Sequence, residues 1–459
     1  MKFLQLLKDA VLGKEEDFTK GSINRAIFLL AVPMIIEMGM ESIFAVVDAY
    51  FVAKISVNAI ATVGLTESVM TLIYSMAMGT GMAATAMISR RVGEKDPEKA
   101  SKAAAQVLLL VTTVGLALGS VGFLFAKDIL RLMGGSEVLV QEGYQYTQIM
   151  FGLNIVIFLL FVLNAIFRGA GNAAIAMRTL ILANGLNIIL DPCLIFGIGF
   201  FPEMGVKGAA VATVIGRSVG VVYQLAHLFN GKSVIKILSK YFRPKRELIQ
   251  QIISLSLGGI GQMLIASASW IFLIKIVMSF GEAATAGYTL AIRILIFTIL
   301  PAWGLANAAA TLVGQNLGAQ QPERAEASAW KSAKLNMYFL LVVAVIYFIF
   351  AEPLLAFFSS DPEVIFHGKN SLKIFSVGYV VFAYGMVLSQ AFNGAGDTKT
   401  PTWVNFICFW MIEIPLAYFL AKYLDSPKGV FWAVVIAETI MAIILIWLFR
   451  KGRWKLKKV

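Results

Sequence analysis

The chain has 459 residues, 59% hydrophobic and 14% charged, with 39 Lys+Arg against 27 Asp+Glu for a formal net charge of +12. Soluble domains are about 45–50% apolar and about 25% charged, and they stop enlarging one core near ~250–300 residues. With a mean hydropathy of +0.79, the composition excludes a soluble enzyme, a nucleic-acid-binding domain and a disordered protein, and requires a polytopic membrane protein.

The segment 1–25 is charged and amphipathic. Leu4, Leu6, Leu7, Val11 and Leu12 suit the membrane surface, and the apolar run of a signal peptide is missing. Stretches of about 20 mainly apolar residues, enough to cross a bilayer, then follow at 26–52, 59–86, 103–126, 145–167, 174–200 and 207–229. Pro33 opens the first of them, where its missing N–H permits a bend. Cys193 in the fifth is free, like Cys408 later, and acts as a small hydrophobe rather than part of a disulfide framework. His227 is read as an interfacial side chain at the end of the sixth. Gly231-Lys232-Ser233 lacks the earlier glycine of a phosphate loop, since Ala226 stands there. It opens a basic linker, 231–249, which carries Pro244. Six further spans follow at 250–279, 284–310, 333–351, 371–393, 401–421 and 429–449, and a basic tail occupies 450–459. Trp270, Trp303, Trp403 and Trp432 fall near predicted helix ends, as in an interfacial belt. Met38, Met40, Met70, Met76 and Met150 are candidates to line a cavity.

Twelve spans put both termini on one side. With that side cytoplasmic, 28 Lys and Arg fall in cytoplasmic segments and 8 on the opposite face, the asymmetry expected of cytoplasmic termini. The chain also repeats itself. Val92-Gly93-Glu94-Lys95-Asp96-Pro97 recurs as Leu317-Gly318-Ala319-Gln320-Gln321-Pro322, and Arg168-Gly169-Ala170-Gly171-Asn172 as Asn393-Gly394-Ala395-Gly396-Asp397, both at an offset of 225. The expectation is an all-α integral membrane fold: a six-helix N-lobe at 26–230 and a six-helix C-lobe at 250–449, related by a pseudo-two-fold axis along the membrane normal. Parallel repeats of this kind suit a secondary transporter with its substrate path between the lobes.

These glycine turns, the two six-span halves and Asn187-Ile188-Ile189-Leu190-Asp191-Pro192 resemble the MATE family (multidrug and toxic compound extrusion) over essentially the whole chain. The resemblance implies a cation-coupled antiporter that exports organic cations or other amphiphiles against Na⁺ or H⁺.

Ionisable groups inside a bilayer are costly and each needs a reason. Glu37, Glu41 and Asp48 share one face of the first span. Topology brings Asp48, Tyr146 of the fourth span, Asn187 and Asp191 of the fifth and Thr213 of the sixth to similar depth in the outer half. Oxygen ligands suit a hard cation, and paired carboxylates suit a proton. These five residues match the coupling site of the DinF-like and archaeal branches, with Na⁺ placed at Asp48, Asn187, Asp191 and Thr213. Phe44 departs from a tyrosine often found there. The NorM-like branch, in contrast, places acids in the seventh and tenth spans, which hold none here at 258–279 and 372–392. Glu37, Glu41, Glu67, Arg293 and Glu413 are candidates for substrate attraction or proton relay. The alternatives for Glu37 and Glu41 are salt bridging or water contact, and for Arg293 a structural lock with Glu413 or Glu438. A pairing of Arg217 with Glu438 is also open.

The expected function is secondary active multidrug efflux by a monomer in the plasma (inner) membrane, through rocking lobes. Its partners are a small amphiphilic cation and the lipid bilayer, with no nucleic acid and no cofactor beyond the coupling ion, H⁺ or Na⁺. A lipid-linked oligosaccharide flippase is the alternative within the superfamily. A membrane-embedded prenyl or glycosyl transferase would need an Asp-Asp-x-x-Asp motif, which the chain lacks, and a channel would not need rocking lobes.

Overall fold

The structure is a computed structural model that describes residues 2–14, 16–230 and 233–459. Gly231 and Lys232, where the phosphate-loop comparison falls, lie outside the described residues. Every regular element among those described is helical.

A short helix α1 (Lys2–Leu12) leaves Leu4 and Leu12 exposed. The first half then runs through α2 (Ile23–Ala53), α3 (Val57–Gly93), α4 (Pro97–Leu124), α5 (Ala126–Leu132), α6 (Glu137–Gly152), α7 (Asn154–Gly169), α8 (Ala173–Phe196) and α9 (Val206–Phe229). The second half has α10 (Arg246–Met278), α11 (Glu282–Gly318), α12 (Pro322–Ala356), α13 (Pro362–Gly394), α14 (Lys399–Asn405), α15 (Ile414–Tyr423) and α16 (Lys428–Arg450), with a π-helical segment Phe406–Glu413 joining α14 to α15. Eleven helices are long and apolar enough to cross a membrane. The pair α6 and α7, bent by 42° at Leu153, makes a twelfth.

Local sequence sets the helix starts. Ser56, Asp96, Ser136 and Asp361 each accept a hydrogen bond from a backbone N–H of the first turn, and Pro97, Pro322 and Pro362 occupy early positions that need no N–H. Two boundaries differ from the sequence reading. Pro33 does not open the first span: α2 begins at Ile23, so the proline lies inside the helix and leaves the Leu29 carbonyl without its helical donor. The fourth span starts at Glu137, earlier than hydropathy alone placed it: Glu137, Gln141 and Glu142 stay exposed while Leu139, Val140 and Gly143 of the same turns are buried, and α6 packs on α4 and α3.

Residues 225 apart meet their neighbours in corresponding ways. Lys95 and Gln320 both take positive φ, 58° and 56°, and Gly171 and Gly396 do so at 91° and 85°. A Cβ on Gly79 would stand 2.3 Å from the Ile260 nitrogen of α10, and one on Gly304 would stand 2.9 Å from the Ile35 nitrogen of α2. At the far ends of α3 and α11 the approach is reciprocal. A Cβ on Gly93 would lie 2.0 Å from the Gln315 carbonyl oxygen, and one on Gly318 would lie 2.1 Å from that of Arg90. Only glycine permits backbones this close.

Both terminal segments gather at this same end. Arg324 donates to the carbonyls of Phe18, Lys20 and Gly21, Arg90 to those of Ala395 and Lys457, and Arg91 to that of Val459. The connection between the halves is tied down here too. Gln106 of α4 donates to the carbonyls of Tyr241 and Arg243 and accepts from the Lys245 N–H.

Candidate functional site

Four helices of the first half build a polar cluster. Asn187 and Asp191 lie one turn apart on α8, and Thr213 faces them from α9. The Asn187 amide donates to Asp191 Oδ1 and to Thr213 Oγ1, both at 3.2 Å. All three side chains are buried, yet Asn187 Oδ1 and Asp191 Oδ2 have no hydrogen-bond partner. Pro192 adds a third available oxygen nearby, because it leaves the Ile188 carbonyl without its helical donor. Asp48 of α2 lies within charge-interaction range of Asp191, and buried Tyr146 of α6 lies within range of both. The five predicted residues therefore converge, though Asp48 and Tyr146 join by proximity rather than by hydrogen bonds. Unsatisfied oxygens around carboxylates can take up a hard cation or a proton.

Two and three turns back along α2 from Asp48, the acids are paired. Glu41 accepts from Arg217 of α9 at 3.2 Å and from Asn184 of α8 at 3.1 Å. The Arg217 side chain is only 4% exposed and stands 5.2 Å from the Phe44 ring and 5.9 Å from the Tyr74 ring. Glu67 of α3 is within charge-interaction range of Arg217, Asp48 and Glu41. Arg217 is thus the cation among these acids, and the proposed Arg217–Glu438 pairing does not form because the arginine is committed to Glu41.

Glu37 is fully buried and accepts from Arg168 of α7 at 3.0 Å. This pair stands in a cavity of about 280 Å³ between the two halves. Its polar lining includes Glu37, Glu41, Asn164 and Arg168 from the first half and Asn307, Gln390 and Asn393 from the second, with Met38, Met78, Met82 and Trp303 among the apolar walls. Trp303 is therefore a cavity residue in mid-α11 rather than part of an interfacial belt. Of the five methionine candidates Met38 lines the cavity, while Met70 and Met150 are buried in the core.

The family description MatE matches residues 33–193 and matches again at 260–419, once in each half. The chain belongs to the MatE family. It is accordingly a multi-pass membrane transporter and not an enzyme. Similar proteins include the "Probable multidrug resistance protein NorM" of Thermotoga maritima, 28% identical over 443 residues and 95% of this chain and 94% of that one. The "Probable multidrug resistance protein YoeA" of Bacillus subtilis is 26% identical over 96% of both. A solved structure described as the outward-facing conformation of a multidrug resistance MATE family transporter superposes with a TM-score of 0.90 at 26% identity, covering 96% of this chain and 98% of that one.

In the second half of this MatE transporter the acids are arranged differently. Glu413, at the end of the π segment, is buried beside Glu438 of α16. Arg293 does not pair with either: it is exposed, beside Glu282 and Phe358 at the far end of α11 from the central cavity. The expected lock fails because the helix turns Arg293 away from α16. Sequence reasoning also missed the two arginines that neutralise Glu37 and Glu41. Their signal was present, since Arg168 follows the fourth span and Arg217 lies at the depth of Glu41, but nothing in the spacing oriented them. The amides Asn164, Asn307, Gln390 and Asn393 were missed as cavity residues as well.

Proposed function

We propose that this transporter is a secondary active antiporter that exports amphiphilic cations in exchange for H⁺ or Na⁺. The observation that carries the reading is the central cavity, drawn from both halves, beside a separate first-half cluster whose Asn187 and Asp191 oxygens are unsatisfied. Two compartments of different chemistry are what exchange of substrate against ion requires. The cavity walls carry Glu37 and Glu41, whose carboxylates can attract a cationic ligand in competition with their arginine partners, and its methionines suit substrates of varied shape. The names of similar proteins, two of them multidrug resistance proteins, support efflux of several compounds.

Asp48, Asn187, Asp191, Thr213 and Tyr146 form the coupling site in this reading, with Na⁺ at the first four where Na⁺ is the ion. Glu37, Glu41 and Glu67 sit between that site and the substrate and act in attraction or relay. The six-helix halves rock as lobes about the α3–α11 contact, with both termini cytoplasmic, in a monomer of the plasma (inner) membrane. The test is transport by purified protein in liposomes under a Na⁺ gradient alone and a pH gradient alone. Uphill movement of a fluorescent organic cation under one of them supports the reading, and equilibration under both refutes it.

A further inference from the structure

The segment ahead of α2 and the segment after α16 each cover one of the two repeated glycine turns. A Cβ on Gly171 would stand 3.0 Å from the buried Phe18 ring, and one on Gly396 would collide with the Val459 side chain. Each segment is anchored on the half to which it is joined. The Val11 carbonyl accepts from Arg178 of α8 at 3.0 Å, and Asp17 pairs with Lys95, just beyond α3, at 3.5 Å. After α16, Trp454 is fully buried: it stacks on Phe449 at 4.4 Å and donates to the Phe449 carbonyl at 2.8 Å. Lys455 pairs with Glu326 at 2.6 Å, and Lys457 with Asp397 at 3.4 Å.

The guanidinium contacts cross over. Arg324 of α12, in the second half, donates to the Phe18, Lys20 and Gly21 carbonyls at 3.2, 2.8 and 2.9 Å. Arg90 and Arg91 of α3, in the first half, donate to the Lys457 and Val459 carbonyls at 2.9 and 2.6 Å. These five hydrogen bonds each run from one half to a segment anchored on the other. They gather at the end where Gly93 meets Gln315 and Gly318 meets Arg90. Hydrogen bonds from charged donors are the stronger kind, and all five break when α3 and α11 separate. Because the acceptors are carbonyls, their release strands no bare carboxylate.

We propose that the two segments are paired straps, each rooted in one half and fastened to the other, that hold this end of the transporter closed and must let go before the halves part. The proposal rests on the reading of the halves as rocking lobes.

Ser89 reports the opening. It is fully buried on α3, and its hydroxyl fills the space that a Cβ on Gly314 of α11 would take, away from both straps. The full chain is placed in lipid nanodiscs with Cys193→Ala and Cys408→Ala, and the modification of Ser89→Cys by N-ethylmaleimide is timed by mass spectrometry. That rate follows the open population. Arg324→Gln releases one strap and Trp454→Ala the other; each should raise the rate about tenfold, as loss of charged hydrogen bonds implies, and the double variant should exceed both. Glu352→Gln, which removes an exposed ion pair at the other end of α12, should leave the rate at wild type. Unchanged rates in both strap variants, beside a faster rate in Gly93→Ala, would overturn the straps and spare the rocking lobes. Unchanged rates in all three would overturn the rocking lobes and the straps with them. A rate in Glu352→Gln as fast as in the strap variants would also overturn the proposal. Should Trp454→Ala misfold, Lys457→Glu detaches the same strap by opposing Asp397.

Discussion

The reciprocal contact of α3 and α11 offers a substitution whose effect can be worked out beforehand. Gly93→Ala places a methyl group 2.0 Å from the Gln315 carbonyl oxygen, and Gly318→Ala places one 2.1 Å from that of Arg90. Ordinary contact needs well over 3 Å, and both obstacles are backbone, so a helix must retreat rather than a side chain swing aside. Overpacking of this kind costs roughly 1–3 kcal/mol. In a rocking transporter that cost falls only on the state in which these helix ends meet. The equilibrium should therefore move roughly 5–150-fold towards the state in which they part. Gly64→Ala is the control: it lies in the same helix with nothing within 4 Å. Spin labels at the exposed, repeat-related positions Glu98 and Glu323 report the separation by double electron–electron resonance. A longer-distance population in both glycine variants, absent from the control, is expected. Wild-type distance distributions in folded Gly93→Ala and Gly318→Ala protein would refute the rocking contact.

Other predictions concern single charges. Glu41→Gln removes the carboxylate paired with Arg217, leaving Glu67 as its nearby acid, and should lower the thermal unfolding temperature, whereas adding Arg217→Met should recover part of the loss. Glu37→Gln leaves Arg168 unopposed and makes the cavity more positive, so binding of cationic substrates should weaken while that of neutral ones is unchanged in equilibrium titrations. At the N-terminus the hydrogen bond and charge of Arg25 hold the Glu16 carboxyl below its ordinary value. Its stabilisation is present above the unfolded value and disappears as pH falls through the folded one. Hydrogen exchange in α1 should thus rise below about pH 4, and Glu16→Gln should flatten that rise.

Much of the fold follows from composition, because lipid demands long apolar helices and the hydropathy pattern displays them directly. The cluster at Asn187, Asp191 and Thr213 was legible for a related reason: an i, i+4 spacing on one span and a known direction of travel determine depth. Rotation about a helix axis was not legible. Arg217 and Arg293 look alike in sequence, each a lone cation within an apolar span, yet one points inward to Glu41 and the other outward. On helices apolar all round, packing decides which face is interior, and the 3.6-residue period gives no preference. Trp303 went astray similarly, since α11 extends to Gly318 and places it in mid-helix. The break at Leu153 and the π segment at 406–413 depend on tertiary packing and leave no local signature.

The central claim is that the first-half cluster couples ion movement to substrate movement. It is tested most directly by comparing wild type with Asp48→Asn and Asp191→Asn in liposomes, measuring uphill and downhill transport of the same organic cation. Both variants should lose gradient-driven accumulation altogether while still binding substrate and remaining folded. Wild-type accumulation by either variant would contradict the account.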